Sequence, residues 1–266
     1  MASLAYTLSD SATMFRRNVR RLARYPSLTL MLAGMPIVFL LLFVYVFGGQ
    51  LGHGLSSSLS AGRPGRGGYL NYLTPGIVLM TVAAAVQGTA IVVAMDMTGG
   101  IIDRFRTMAI ARSAVLTGHV LASLVQTVAG VAVVVAVALA LGFRPTAGAG
   151  HWLAAAGLVV LFAFALIWLA TALGLAAKSV ETASNTPMFL TLLPFLGSGF
   201  VPTSTMPEGL RQFARYQPFS PVTETLRGLL TGTHIGANGA GAVAWSVGIA
   251  LGSYLWARRL YARPRG

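Results

Sequence analysis

Cysteine is absent from this chain, lysine occurs once, and the acidic residues number six in 266. Each shortage removes a class of function. Without cysteine there is no disulfide framework, no thiolate metal site and no thiol nucleophile. The single lysine, Lys178, precedes Ser179 but follows Ala176 and Ala177. It therefore belongs to no GxxxxGK[ST] phosphate loop, and any ATP the protein uses must be bound by another chain. His53, His151 and His234 are scattered without metal-ligand spacing. Neither an Asp-rich magnesium site, nor a HExxH pair, nor a Ser/His arrangement is present, which argues against an intramembrane enzyme. No catalytic residue and no metal ligand is nominated.

Charge is the scarcest commodity. Only 9% of residues are charged, 55% are hydrophobic and the mean hydropathy is +0.73, against about 25% charged in an ordinary globular chain. Six runs contain no Asp, Glu, Lys or Arg: Tyr25–Gly62, Gly67–Met95, Ser113–Phe143, Pro145–Ala177, Thr182–Pro207 and Gly228–Ala257. Each exceeds the roughly 20 apolar residues that carry a helix across ~30 Å of hydrocarbon. The expected fold is an all-α integral membrane protein with six transmembrane helices, forming one transmembrane domain over residues 1–266. The spans fall at about 28–48, 73–95, 114–142, 152–177, 186–202 and 236–257. Leu28–Gly48 is too long for the apolar core of a cleavable signal peptide.

The net charge of +13 is mostly topology. Thirteen basic residues fall on the side that holds both termini: Arg16, Arg17, Arg20, Arg21, Arg24, Arg104, Arg106, Arg112, Lys178, Arg258, Arg259, Arg263 and Arg265. The other side holds six: Arg63, Arg66, Arg144, Arg211, Arg215 and Arg227. The positive-inside rule places both termini in the cytoplasm and argues against nucleic acid as the partner.

Along the chain, Ser9 or Asp10 can cap a helix over 9–24 whose apolar stripe (Leu8, Ala12, Phe15, Val19, Leu22) opposes its arginines. That pattern suits a helix lying in the membrane interface on anionic headgroups. Span one carries Pro36, a bend site, and Gly49–Gly68 reads as a Gly/Ser-rich loop. Span two begins near Leu73 with Pro75 in its first turn, and Tyr69, Asn71 and Tyr72 suit the outer interface. Spans three and four, rich in Ala, Gly and Val, suit a tightly packed scaffold. Span five holds Pro187, Pro194 and Pro202 and is expected to be broken. Two short amphipathic helices follow, read as re-entrant or interfacial on the outer side. The first starts near Pro207 with Leu210, Phe213 and Ala214 on one side. The second has Ser220 as N-cap, Pro221 at the first helical position, an apolar face of Val222, Leu226, Leu229 and Leu230, and Gly232 as its stop.

Between spans two and three, Gly99-Gly100 interrupts the helix, and Ile101, Ile102, Phe105, Met108 and Ala109 make an apolar stripe among Asp103, Arg104, Arg106 and Arg112. Such a stripe fits either a partner's groove or the bilayer surface. The run Gly100-Ile-Ile-Asp-Arg-Phe-Arg106 resembles the corresponding loop of ABC-2-type permeases, closest to the daunorubicin/doxorubicin-resistance subfamily. Pro218-Phe-Ser-Pro-Val-Thr-Glu-Thr-Leu-Arg227 is similar to that family's segment before the last span. One departure is Ala109, where the family pattern leads one to expect proline.

The resemblance implies a permease subunit that exports its cargo and is not itself an enzyme. It implies a homodimer with two copies of a separate ATPase, which alone carries ATP and Mg, in the plasma membrane of a bacterium. Gly100, Ile101, Ile102, Asp103, Arg104, Phe105 and Arg106 would form the ATPase-coupling helix. Pro194, Pro202, Pro218, Pro221, Glu224 and Arg227 would form the extracellular gate.

For the substrate path the candidates are Phe39, Phe43, Met80, Gln87, Phe189, Phe195 and Phe200, an aromatic, uncharged set. It favours an amphipathic or hydrophobic drug or natural product over a charged polysaccharide, with lipid contact as the plain alternative role. A lipid, glycolipid or polysaccharide exporter of the same family is the second reading. Ion-coupled secondary transport is the third, disfavoured because no carboxylate lies deep within a span. His119, Gln126, Gln87 and Asn185 are expected to hydrogen-bond between helices. Glu208/Arg211 and Glu224/Arg227 are spaced as i,i+3 pairs, each worth a few tenths of a kcal/mol at an exposed surface.

Overall fold

The computed structural model describes residues 26–54, 65–98 and 112–262. The expected interfacial helix over 9–24 and the coupling segment Gly100–Arg106 lie outside the described residues. Within them every regular element is helical. This follows from the solvent: in hydrocarbon, a backbone must satisfy its own N–H and C=O groups, and a helix does so within one segment.

Helix α1, Pro26–Leu42, passes through Pro36, widens into a π-helical turn at Phe43–Phe47, and continues as α2, Gly48–Gly54. The remaining long helices are α3 (Arg66–Thr98), α4 (Arg112–Ala140) and α5 (Ala149–Ala176), with a final long helix near the C-terminus. Between α5 and that final helix come α6 (Val180–Asn185), α7 (Met188–Leu192), a 3-10 turn at Thr203–Thr205, α8 (Glu208–Tyr216) and α9 (Phe219–Thr231). The last helix, α10, is Asn238–Ala262.

Five helical stretches are long and apolar enough to cross a membrane: Leu32–Gly52, Arg66–Asp96, Leu116–Ala140, Ala149–Ala176 and Asn238–Tyr261. The charge-free run expected to make span five does not form one helix. Ser179 caps α6 by accepting the Thr182 N–H at 3.2 Å, and α6 stops just before Pro187. After α7 the chain turns repeatedly from Leu193 to Phe200. Proline lacks the N–H that would continue the ladder and disfavours helix in the residue before it. Pro187, Pro194 and Pro202 therefore break this run as expected.

Helix α5 forms the spine. Phe162, Ala163, Ala165, Ile167, Ala170 and Ala172 are fully buried, and α5 packs along α10 and α3. Its small residues permit that closeness: a Cβ on Gly174 would stand 2.6 Å from the Ala90 carbonyl oxygen and 2.9 Å from Val93 Cβ. Without hydrophobic driving force between helices in lipid, such backbone proximity supplies the packing energy.

Four local expectations change. The interval Gly49–Gly68 is not all loop, because α2 runs to Gly54 and α3 already begins at Arg66. The two helix ends meet through glycines: Gly65 N–H donates to Gly52 C=O at 3.4 Å, and a Cβ on Gly52 would collide with Gly65. Pro75 consequently lies inside α3 rather than in its first turn. Tyr69, Asn71 and Tyr72 face the bundle, with Tyr69 fully buried, because their polar atoms find protein partners there. Finally, α9 begins at Phe219 with Pro218 preceding it, so Ser220 is not its cap. Its hydroxyl points inward instead. The C-terminal expectation holds: Gly232 ends α9 in the left-handed region at φ 73°.

Candidate functional site

The broken run creates a problem that defines the site. Carbonyls at Leu193, Ser198 and Phe200 lie in turns, without a continuing helix to accept from. In the bundle interior each must be satisfied by something else. Side chains of α3 and α9, together with Gln217 between α8 and α9, do this. The Tyr69 hydroxyl donates to Phe200 C=O at 3.3 Å and the Tyr72 hydroxyl to Ser198 C=O at 3.0 Å. Gln217 Nε2 donates to Leu193 C=O at 3.2 Å, while its Oε1 accepts the Phe219 N–H at 3.1 Å. Ser220 Oγ accepts the Ser198 N–H at 3.1 Å.

Arg227 ties these together. Its Nη2 donates to Ser198 C=O at 2.8 Å and to Tyr72 C=O at 3.2 Å, with Nε also directed at Tyr72 C=O at 3.4 Å. Nη1 meets Glu224 Oε1 at 2.6 Å. The guanidinium lies 3.8 Å from the Tyr72 ring centroid. Planar, forked donors that also stack on an aromatic face are properties arginine has and lysine lacks. Arg227 is only 8% exposed. The i,i+3 pair with Glu224 is present, but it is one arm of a buried hub rather than a surface ion pair. Arg211 instead donates twice to Met206 C=O, at 3.2 and 3.0 Å.

Glycines let the broken run approach α3. A Cβ on Gly76 would lie 2.5 Å from Gly199 C=O, and one on Gly197 would collide with the Gln217 amide. The Ser198 hydroxyl, itself buried, has no partner among the described residues.

Among the gate candidates, Pro218 and Pro221 flank the start of α9, Pro194 is buried in the turn region, and Pro202 leads into the 3-10 turn. Glu224 and Arg227 belong to the hub. Four of the path candidates come together. The Phe195 and Phe200 rings stack at 4.5 Å, Phe39 meets Phe195 edge-on at 5.3 Å, and Phe43 meets Phe200 at 5.1 Å. Phe47 extends the cluster from Phe43 at 5.6 Å. The π-helical turn bears Phe43 and Phe47, so this irregularity helps aim them at the broken run. Met80 packs against the core, whereas Phe189 is 57% exposed and stands apart.

Gln87 donates to Ser184 C=O at 3.1 Å, joining α3 to α6. His119 of α4 meets Asp96 of α3 at 3.0 Å. Both make the interhelical contacts expected of them. Gln126 instead lines a cavity and Asn185 is exposed. Sequence reasoning missed Ser198 and Gln217, and read Tyr69, Tyr72 and Ser220 for other roles. The i,i+3 spacing of Tyr69 and Tyr72 on one helix face was the one available signal.

The hub contains no activated nucleophile and no acid–base pair. It fastens the turns of 193–200 to α3 and α9, and the surrounding bundle is that of a multi-pass membrane protein. The chain matches the ABC-2 type transporter family over residues 11–231 and belongs to that family. It is 29% identical over 248 residues to the daunorubicin resistance ABC transporter permease protein DrrB1 of Streptomyces coeruleorubidus, which covers 93% of this chain and 81% of that protein. It is 23% identical over 177 residues to the probable doxorubicin resistance ABC transporter permease protein DrrC of Mycobacterium tuberculosis, covering 65% of this chain and 64% of that protein. The resemblance drawn from Gly100–Arg106 and Pro218–Arg227 is borne out at the level of the family.

Proposed function

We propose that this chain is the membrane-spanning permease subunit of an ATP-driven exporter that moves an amphipathic or hydrophobic compound out of a bacterial cell. The observation that carries the proposal is the family match over 11–231 in a chain without a phosphate loop. Supporting it, the relatives are named as permeases of drug-resistance ABC transporters. In this reading ATP and Mg bind a separate ATPase, present in two copies beneath a homodimer of this chain. Both termini are cytoplasmic, and the broken run 180–202 serves as the sixth crossing.

Gly100–Arg106 receives the ATPase stroke, and the Phe39/Phe43/Phe195/Phe200 cluster lies beside the cargo path. The Arg227 hub holds the outer gate shut. It is suited to this because hydrogen bonds from side chains can be exchanged, whereas a continuous helical ladder cannot be opened without breaking the span.

The test is affinity purification from native membranes in mild detergent, with identification of co-purifying chains. A Walker-A-bearing ATPase in equal amount, lost on Phe105→Ala, is the expected result. Phe105→Ala and Asp103→Arg should also abolish transport while leaving membrane insertion intact. The protein purifying alone, with transport driven by an ion gradient without ATP, would overturn the reading.

A further inference from the structure

Away from the hub, α1, α3 and α4 enclose a cavity of about 60 Å³ lined by Leu32, Ala85, Gly88, Thr89, Ser123 and Gln126, with Val92 and Thr127 at its edge. Its wall is unusual for a membrane bundle. Hydroxyls and an amide face a groove at whose edge Val92 is exposed. Thr89 and Thr127 donate their protons to Ala85 C=O and Ser123 C=O of their own helices, at 2.9 and 2.7 Å. Their oxygens remain available as acceptors. Among the described residues, the Ser123 hydroxyl and the Gln126 amide have no hydrogen-bond partner. In hydrocarbon such groups seek one, since no water stands ready to replace it.

Thr89 precedes Asp96 by two helical turns, placing the niche roughly 10 Å inside the end of α3. That is the end joined to Gly100–Arg106, hence the inner leaflet under the exporter reading, on which this inference rests. No charged side chain lines the niche. The space accepts a small polar group while the open groove leaves room for an apolar body. Gly88 keeps it clear, since a Cβ there would meet nothing within 4 Å.

We infer that this niche binds the uncharged hydrogen-bonding group, a hydroxyl, carbonyl or amide, of an amphiphile that enters sideways from the inner leaflet. The site is separate from the phenylalanine cluster and precedes it on the way out. The occupant is either the exported compound or a membrane lipid, and the two share this chemistry.

The absence of cysteine makes the test clean. Ser123→Cys, which costs no hydrogen bond of the native hydroxyl, gives one thiol in the full chain assembled with its ATPase in phospholipid vesicles. N-ethylmaleimide labelling is followed with and without doxorubicin, an amphiphile bearing hydroxyl and carbonyl groups. Val128→Cys on another face of α4 serves as control. Doxorubicin should slow labelling at 123 several-fold, leave 128 unchanged, and lose its effect when Gly88→Leu fills the niche. Slow labelling in phospholipid that becomes fast in dodecyl maltoside, with doxorubicin inert, identifies a lipid as the occupant. Equal labelling at 123 and 128 under every condition overturns the site. So does complete inaccessibility of 123, which would mean that another segment closes the niche. ATP-dependent doxorubicin uptake by inverted vesicles is measured in parallel. Uptake that follows an ion gradient and ignores ATP would sink the exporter reading independently of the labelling result.

Discussion

The two ends of α3 hold the broken run by different means. At the Arg66 end, Tyr69, Tyr72 and, through Arg227, α9 converge on the carbonyls of Ser198 and Phe200, and Gly76 lies directly against Gly199. At the Asp96 end, the hydrogen bond from Gln87 to Ser184 is reinforced by close packing of Ala94, Ala177 and Ala183. The first end is polar, buried and built from exchangeable side-chain bonds. The second is mostly backbone proximity between small residues. Between them, Met188, Phe189, Leu192 and Leu196 are exposed. A segment pinned at both ends by unlike fastenings can release one without the other, as the proposed gate would require.

The comparison is broken most severely by Arg227→Ala. It removes charge-assisted bonds to two carbonyls and strands Glu224, for an expected loss of about 2–4 kcal/mol. Thermal unfolding in detergent should show a lowered midpoint, and vesicles should leak cargo. Arg227→Lys should recover less than half, because an ammonium cannot fork to two carbonyls while stacking on Tyr72. Gly76→Val comes next. It forces two backbones apart, costs roughly 1–3 kcal/mol by overpacking, and should lower the same unfolding midpoint.

At the other end Gln87→Ala should cost only about 0.6 kcal/mol, the usual worth of one interhelical hydrogen bond in a membrane. A large effect there would erase the distinction between the two fastenings. Smallest of all is Ser198→Ala. The buried hydroxyl has no partner among the described residues, so its removal should leave the midpoint unchanged or slightly raised. A clear drop would mean that a water or a bound molecule uses that oxygen.

Much of this architecture was legible one residue at a time. Charge-free length marked the membrane helices, and prolines at 187, 194 and 202 marked the run that could not be a single helix. Glu224 and Arg227 announced their pairing by spacing alone. The hub was not legible. Tyr69 and Tyr72 read as interface anchors because that is where tyrosine commonly sits in membrane proteins. Ser220 read as a cap because serine before proline commonly is one. Both local rules lost to a demand from elsewhere in the chain, the unsatisfied carbonyls of Ser198 and Phe200, which lie well over a hundred residues from the tyrosines.

Helical class, the basic-residue asymmetry and the break in the charge-free run 182–207 were determined by the sequence itself, because hydrophobicity, charge and proline act locally and do not wait for partners. Which side chains would satisfy the break, and that an arginine would be buried to do it, was decided by the tertiary structure. Hydrogen-bond satisfaction in a water-free interior is a property of the groups brought together, and only packing brings them together.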